Sequence, residues 1–169
     1  MAINFPEGTQ NLPSRAVQVV TTIKRNVFTT TSSTFVEIPS LTCTITPNAT
    51  TSKVLVFGSV CYGHNNDAPW LNCFRLKRQT VDTLMIADAD GNRGRHSGGG
   101  QRSGHRDDTH WWPILFLDSP NTTGAITYRV MTRAESPRTV YINRGDETDG
   151  NQVISGRFCS SLTVMEIAQ

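Results

Sequence analysis

In Leu41-Thr42-Cys43-Thr44-Ile45-Thr46 every second side chain is apolar, and nowhere does a stretch of helical length keep apolar residues at i, i+3, i+4 and i+7. A period of two puts alternate side chains on opposite sides of an extended chain, so this pattern predicts half-buried β-strands. Val17, Val19, Thr21 and Ile23 alternate with polar partners in the same way, as do Ile126, Tyr128 and Val130 with Thr127, Arg129 and Arg133. Composition points the same way: Val, Ile and Thr number 45 against 18 for Ala and Leu together. Branching at Cβ suits a pleated surface and is disfavoured in helices. The chain is therefore expected to be all-β.

Further strand signals follow in series. Thr34–Ile38 is closed by Pro39-Ser40, Leu71–Arg78 and Val81–Ala87 pair as a hairpin, Thr139–Ile142 is short, and Phe158–Ile167 ends the series. Nine or ten strands separated by Gly, Pro and Asn turns predict a β-sandwich, and a jelly-roll-like order with the first and last strands as neighbours fits best. Residues 1–14 hold two prolines and no usable period, and are expected to form an extended arm in front of a single sandwich domain, 15–169.

Two segments break the alternation. Val54–Tyr62 and Trp111–Leu117 are apolar on both faces. A sandwich strand needs only one face inward, so the second must be covered by something else. A homotrimer packed around these strands would cover it. Trp111 and Trp112 are adjacent and must point to opposite faces. With Trp70, they are candidate contacts for a subunit or a stacked sugar ring.

Charge and motifs exclude more than they suggest. With 16 basic and 14 acidic residues the net charge is +2, which makes no general claim on nucleic acid or acidic membranes. The apolar runs are too short for a spanning helix, and the opening residues lack the basic and apolar regions of a secretory signal, so export is not expected. Asn48-Ala49-Thr50 and Asn121-Thr122-Thr123 then read as turns rather than glycosylation sites. Cys43, Cys61, Cys73 and Cys159 show no C-x-x-C spacing and are expected to be thiols, with Cys61, Cys73 and Cys159 lying in apolar runs and expected to be buried. No nucleophile elbow, zinc-protease motif or phosphate loop occurs, so no catalytic residue is nominated and no enzyme is expected. No cofactor is expected either.

The one sustained interruption runs from Asp88 to His110. From Gly91 to Arg106 it carries Arg93, Arg95, Arg102 and Arg106 without one acid, together with His96 and His105. Long loops in compact domains are commonly functional, so these six residues form a candidate outward-facing surface. No aromatic residue is interleaved, which argues against single-stranded nucleic acid. The spacing of His96, His105 and His110, with Asp107 and Asp108, matches no metal-ligand pattern, and no metal is expected. Asp88-Ala89-Asp90-Gly91-Asn92 and Asp146–Asn151 read as Asp-Gly turns rather than calcium loops. Arg144-Gly145-Asp146 is a three-letter match to an adhesion motif without supporting context.

Three places carry a resemblance. Ile45-Thr46-Pro47-Asn48-Ala49-Thr50-Thr51-Ser52-Lys53-Val54-Leu55-Val56 resembles the "ITP…SSKILV" segment of small virion proteins of tailed phages, marine and cyanobacterial ones especially. Ser160-Ser161-Leu162-Thr163-Val164-Met165-Glu166-Ile167 resembles their "SSITLMEI" ending, and Met1-Ala2-Ile3-Asn4-Phe5-Pro6 their frequent opening. The resemblance, to a family whose members are tail-fibre-like or unassigned structural proteins, implies a non-enzymatic virion component more than a particular place on the virion. A fibre or adhesin module assembled in the host cytoplasm is the expectation, meeting other virion proteins and the host surface, with a surface glycan as a candidate contact. A capsid decoration (cement) protein and a lectin-like carbohydrate-binding domain are the alternatives. Ile3, Phe5 and Leu12 of the arm are the apolar side chains that would anchor the chain to the particle.

Overall fold

A computed structural model describes residues 15–65, 71–79, 82–101, 108–135, 138–146 and 156–168. These form eleven strands: β1 (Arg15–Lys24), β2 (Phe28–Thr30), β3 (Val36–Ile45), β4 (Lys53–His64), β5 (Leu71–Arg78), β6 (Asp82–Leu84), β7 (Gly98–Gln101), β8 (His110–Asp118), β9 (Ile126–Arg133), β10 (Val140–Ile142) and β11 (Ser160–Ala168). They lie in two antiparallel sheets packed as a jelly-roll-like β-sandwich. No helix among the described residues is long and apolar enough to cross a membrane. The arm, with Ile3, Phe5 and Leu12, lies outside the described residues, as do Trp70, Arg102, His105, Arg106 and Asp107.

Sheet A runs β1-β11-β4-β10-β2, with β8 on the other side of β4. The first and last strands pair over their length, Val19 opposite Met165 and Thr21 opposite Thr163. The long β4 is the centre: Leu55 lies between Met165 on one side and Leu117 on the other. Sheet B runs β3-β9-β5-β6, with β7 also on β5.

The alternating sets Leu41, Cys43, Ile45 and Ile126, Tyr128, Val130 lie in the core, as the period predicts. Val54, Val56 and Val60 of β4, Trp112 and Ile114 of β8, and Leu162 and Val164 of β11 face Ile38, Leu41, Phe74, Leu76, Tyr128 and Val130 of sheet B. Phe74 stacks on Trp112 at 5.2 Å and tilts against Tyr62 at 4.9 Å. Burying each such side chain contributes about 1.5–3 kcal/mol against the unfolded chain.

Three local expectations are corrected. Pro39-Ser40 does not end a strand: β3 continues through it, with the register shifting between Glu37 and Thr42 and Ser40 at φ 62. Among the described strands β3 pairs with β9 alone, and an edge bulge is where a strand tolerates a residue without N–H. The 88–110 interruption is not loop throughout, because Gly98–Gln101 forms β7. A Cβ on Gly98 would strike the Trp112 indole, and Gly99 takes φ 150 against the Asn72 carbonyl. These glycines let a backbone lie directly on the core, which a glycine-rich composition hides. Cys43, Cys61 and Cys73 are buried thiols, whereas Cys159 is an exposed one.

Candidate interaction surface

The strands that form the core also decide what faces out. On β8, Trp112, Ile114 and Asp118 are buried, which turns Trp111, Pro113, Leu115 and Leu117 to solvent. Leu115 is 69% exposed and Trp111 48%. Next to them on β4 stand Phe57, opposite Leu115, and Leu55, opposite Leu117. Met165 follows on β11 and Val19 on β1. Val17, Val19 and Ile23 are exposed while Val20 packs on the core, so the apolar phase of β1 points outward. The outer face of sheet A is thus a four-strand apolar surface. At one end Phe158 sets its ring edge to Trp111 at 5.9 Å.

The outer face of sheet B has the opposite chemistry. Arg75 and Lys77 of β5 and Arg129 and Arg133 of β9 stand there with Glu37 of β3, which accepts from Arg129 at 2.8 Å. Phe35 lies beneath two guanidinium groups, Arg75 at 4.1 Å and Arg133 at 5.7 Å. His96 packs on the same ring at 5.8 Å and lies 3.3 Å from the Cys73 sulfur. Burial, then Arg133 and Arg75, hold the His96 imidazole below its ordinary pKa, so it stays neutral. Burial pushes the Cys73 thiol up, against the pull of Arg133.

Two buried carboxylates flank Val54 at one end of the sandwich. Asp118 of β8 accepts from Arg78 of β5 at 3.0 Å on both oxygens and from the Tyr128 hydroxyl of β9 at 2.6 Å. Burial and that hydrogen bond raise the Tyr128 pKa. Glu166 accepts from Asn48 N–H, Ser52 Oγ and Gln18 Nε2, each at 2.7 Å. Burial alone would raise the Glu166 pKa, but the hydrogen bonds from Gln18, Ser52 and Asn48 outweigh it and hold it below the usual range. A third polar knot surrounds Asn143 at φ 69, whose amide donates to the Lys24 and Asn26 carbonyls and accepts from Ser160 Oγ.

Of the nominated residues, Trp111 lies on the apolar face and Trp112 in the core. Arg93 and Arg95 are exposed, Arg93 beside Asp90 at 3.3 Å and Arg95 bonded to the Ala87 carbonyl. His96 is turned in against Phe35, while His110 meets Tyr62, so these two histidines serve different rings. Among the described residues no three of His, Cys, Asp and Glu come together to hold a metal ion. Arg93 N–H bonds to the Asp90 carbonyl across Gly91 at φ 53, which makes Asp88–Asn92 an Asp-Gly turn. Arg144 folds back over the Tyr141 ring at 4.2 Å. Sequence reasoning missed Val19, Ile23 and Met165 as surface residues, whereas Leu55 and Phe57 lie in the run read as apolar on both faces. The signal was present in the alternation of β1, but a period does not say which phase faces in.

No protein-family model matches the chain, and no curated protein does. Among solved structures, the chain is similar to the structure of infectious bursal disease virus Gt strain, at TM-score 0.42 and 11% identity, over 90% of this chain and 40% of that one. It is also similar to the structure of infectious bursal disease virus Gx strain, at TM-score 0.40 and 10% identity, over 92% of this chain and 37% of that one. The chain spans less than half the length of either.

Proposed function

We propose that this chain is a structural component of a virion, a trimeric module of tail-fibre or adhesin type whose work is assembly and contact. The observation that carries this reading is how the segments resembling phage virion proteins meet. Asn48 and Ser52 of the first bond Glu166 of the second, and Leu55 lies beside Met165 in adjacent strands. Residues far apart in the chain are matched as one structural unit. Their shared pattern therefore answers to folding, and the carboxylate in it is consumed by hydrogen bonds.

The apolar outer face of sheet A supports the same reading, since contiguous exposed apolar surface marks an interaction site. A capsid decoration protein would use the same fold and surface, and the two differ in copy number. The test is quantitative mass spectrometry of purified particles made from the genome that encodes the chain. A few trimers per particle are expected; hundreds of copies would make it a decoration protein, and its absence from particles would overturn the virion reading. The host-facing part of the proposal is tested separately on a glycan array with the full chain: binding to a host-surface glycan is expected, and no binding to any glycan would remove that part.

A further inference from the structure

We propose that copies of this chain meet through the outer face of sheet A, packing it against the same face of their neighbours. This rests on the proposed self-association, and not on any place in a virion.

The first ground is the direction of the pattern. In a lone antiparallel sandwich the outward phase of each strand is polar. Here β8 turns Leu115 and Leu117 outward, β4 Leu55 and Phe57, β11 Met165, and β1 Val19 and Ile23. Four adjacent strands share the inversion, which scattered surface apolar residues do not produce.

Size is the second ground. With about 4.8 Å between strands and 3.3 Å per residue, four strands over the rows from Leu55 to Cys61 make a footprint of roughly 450 Å². That is about half of the ~800 Å² each partner gives to a stable interface. Such a patch suits the apolar centre of a contact, with the neighbouring turns as its rim. Trp111 and Leu115 are its most prominent side chains, and Trp is among the residue types that dominate binding energy.

Charge selects the occupant. Between the rows set by Leu55 and Cys61 the outward side chains of these four strands carry no ionised group. A nucleic acid or a charged protein surface would have to desolvate its charges against this face without compensation. A second copy meets it with an equally neutral surface. Copies meeting through sheet B would instead oppose Arg75, Lys77, Arg129 and Arg133 to themselves, with Glu37 already paired to Arg129 and Glu135 to Arg133.

The edge is the remaining way for β8 to recruit a neighbour, since β8 pairs with β4 alone among the described strands. Pro113 stands at its middle, opposite Ser59, and has no N–H to give a ladder. Strand addition is interrupted there, while the outward face is untouched. The copies therefore stack faces and do not extend the sheet.

Light scattering and sedimentation of the full chain test this, with Leu115→Glu on sheet A and Lys77→Glu on sheet B as the pair of variants. The wild-type mass is expected to be a multiple of 18.7 kDa. Leu115→Glu is expected to weaken association at least about tenfold with an unchanged β-sheet spectrum, and Lys77→Glu to leave it in place. Should Leu115→Glu fail to fold, Leu115→Ser carries the same expectation. Wild-type oligomers that survive both Leu115 variants would overturn the assigned face while leaving the self-association reading intact. A wild-type monomer at all concentrations would overturn both.

Discussion

The outer faces of the two sheets are built on the same backbone and have opposite surfaces. On sheet B the outward phase of β9 is Thr127, Arg129, Met131 and Arg133, and Thr44 and Thr127 hydrogen-bond across β3 and β9 at 2.8 Å. On sheet A the corresponding cross-strand pair is Thr21 with Thr163 at 3.1 Å, but it is framed by Val19, Met165, Phe57 and Leu115. Sheet B ends in water and satisfies it. Sheet A presents the kind of surface that the interior of the same sandwich hides. The difference teaches that the apolar pattern of the strands has two parts, one buried between the sheets and one exposed on the outer face of sheet A.

The largest expected effect lies where the two sheets are tied back to back. Asp118 of sheet A is buried and held by Arg78 and Tyr128 of sheet B. Asp118→Ala leaves the Arg78 guanidinium without its carboxylate, and removing one partner of a buried pair costs about 3–5 kcal/mol. Because the Arg78 side chain keeps 23% exposure, the lower end is expected. Urea denaturation measures it. A loss under about 1 kcal/mol would mean that apolar packing alone holds the two sheets together.

Gly98→Ala comes next, since the new Cβ would meet the Trp112 indole where β7 crosses the core. Overpacking of this kind costs about 1–3 kcal/mol. Amide exchange is expected to show β7 released from β5 first. Exchange unchanged at Gly99 and Gly100 would show that Trp112 has room to move.

How much of this was legible in the sequence follows from the physics of each signal. The inward sets of β3 and β9 were readable because a strand with one buried face must alternate, and the two both-faced runs of β4 and β8 announced an unusual outer surface. β1 was misleading in its phase, since Val19 and Ile23 look like core residues until β11 fixes which side is in. β7 was invisible, because glycines carry no pattern of side chains. Pro39 looked like a terminator because an edge bulge depends on β3 having a single neighbour among the described strands, which only the topology reveals. Of the nominated site residues, Trp111 emerged on the exposed face through the plain rule that neighbours on a strand face opposite ways.

Acid separates the two sheets by range. The His96 pKa is lowered in the folded chain, so its contribution is full above about pH 6.5, the unfolded value, and is lost as pH falls towards the folded one. Glu166 is also lowered, so its contribution is full above about pH 4.3 and disappears only on further acidification. Stability measured from pH 7 to pH 3 should therefore fall in two steps. His96→Gln is expected to remove the first, loosening of the Phe35 cluster on sheet B, and Glu166→Gln the second, at the Asn48–Ser52 turn against sheet A. Two variants with identical profiles would break the assignment.

The smallest effects are the sharpest test of the comparison. Under dilute conditions where the chain is monomeric, Leu117→Ser removes an apolar side chain that is already 55% exposed, so little burial is lost. The change in folding stability is expected to stay within about 0.5 kcal/mol. Arg129→Gln, on the polar face, breaks a part-buried pair with Glu37 and is expected to cost about 0.2–1 kcal/mol. In the monomer the apolar face should thus tolerate change at least as well as the charged one, contrary to the usual order of apolar and polar substitutions. At concentrations where copies associate, the order should reverse, because Leu117 then joins a covered surface while Arg129 stays in water. Thermal unfolding of both variants across a hundredfold range of protein concentration makes the measurement. If Leu117→Ser shows no concentration dependence beyond that of Arg129→Gln, the two outer faces are energetically alike, and their different chemistry has no consequence for assembly.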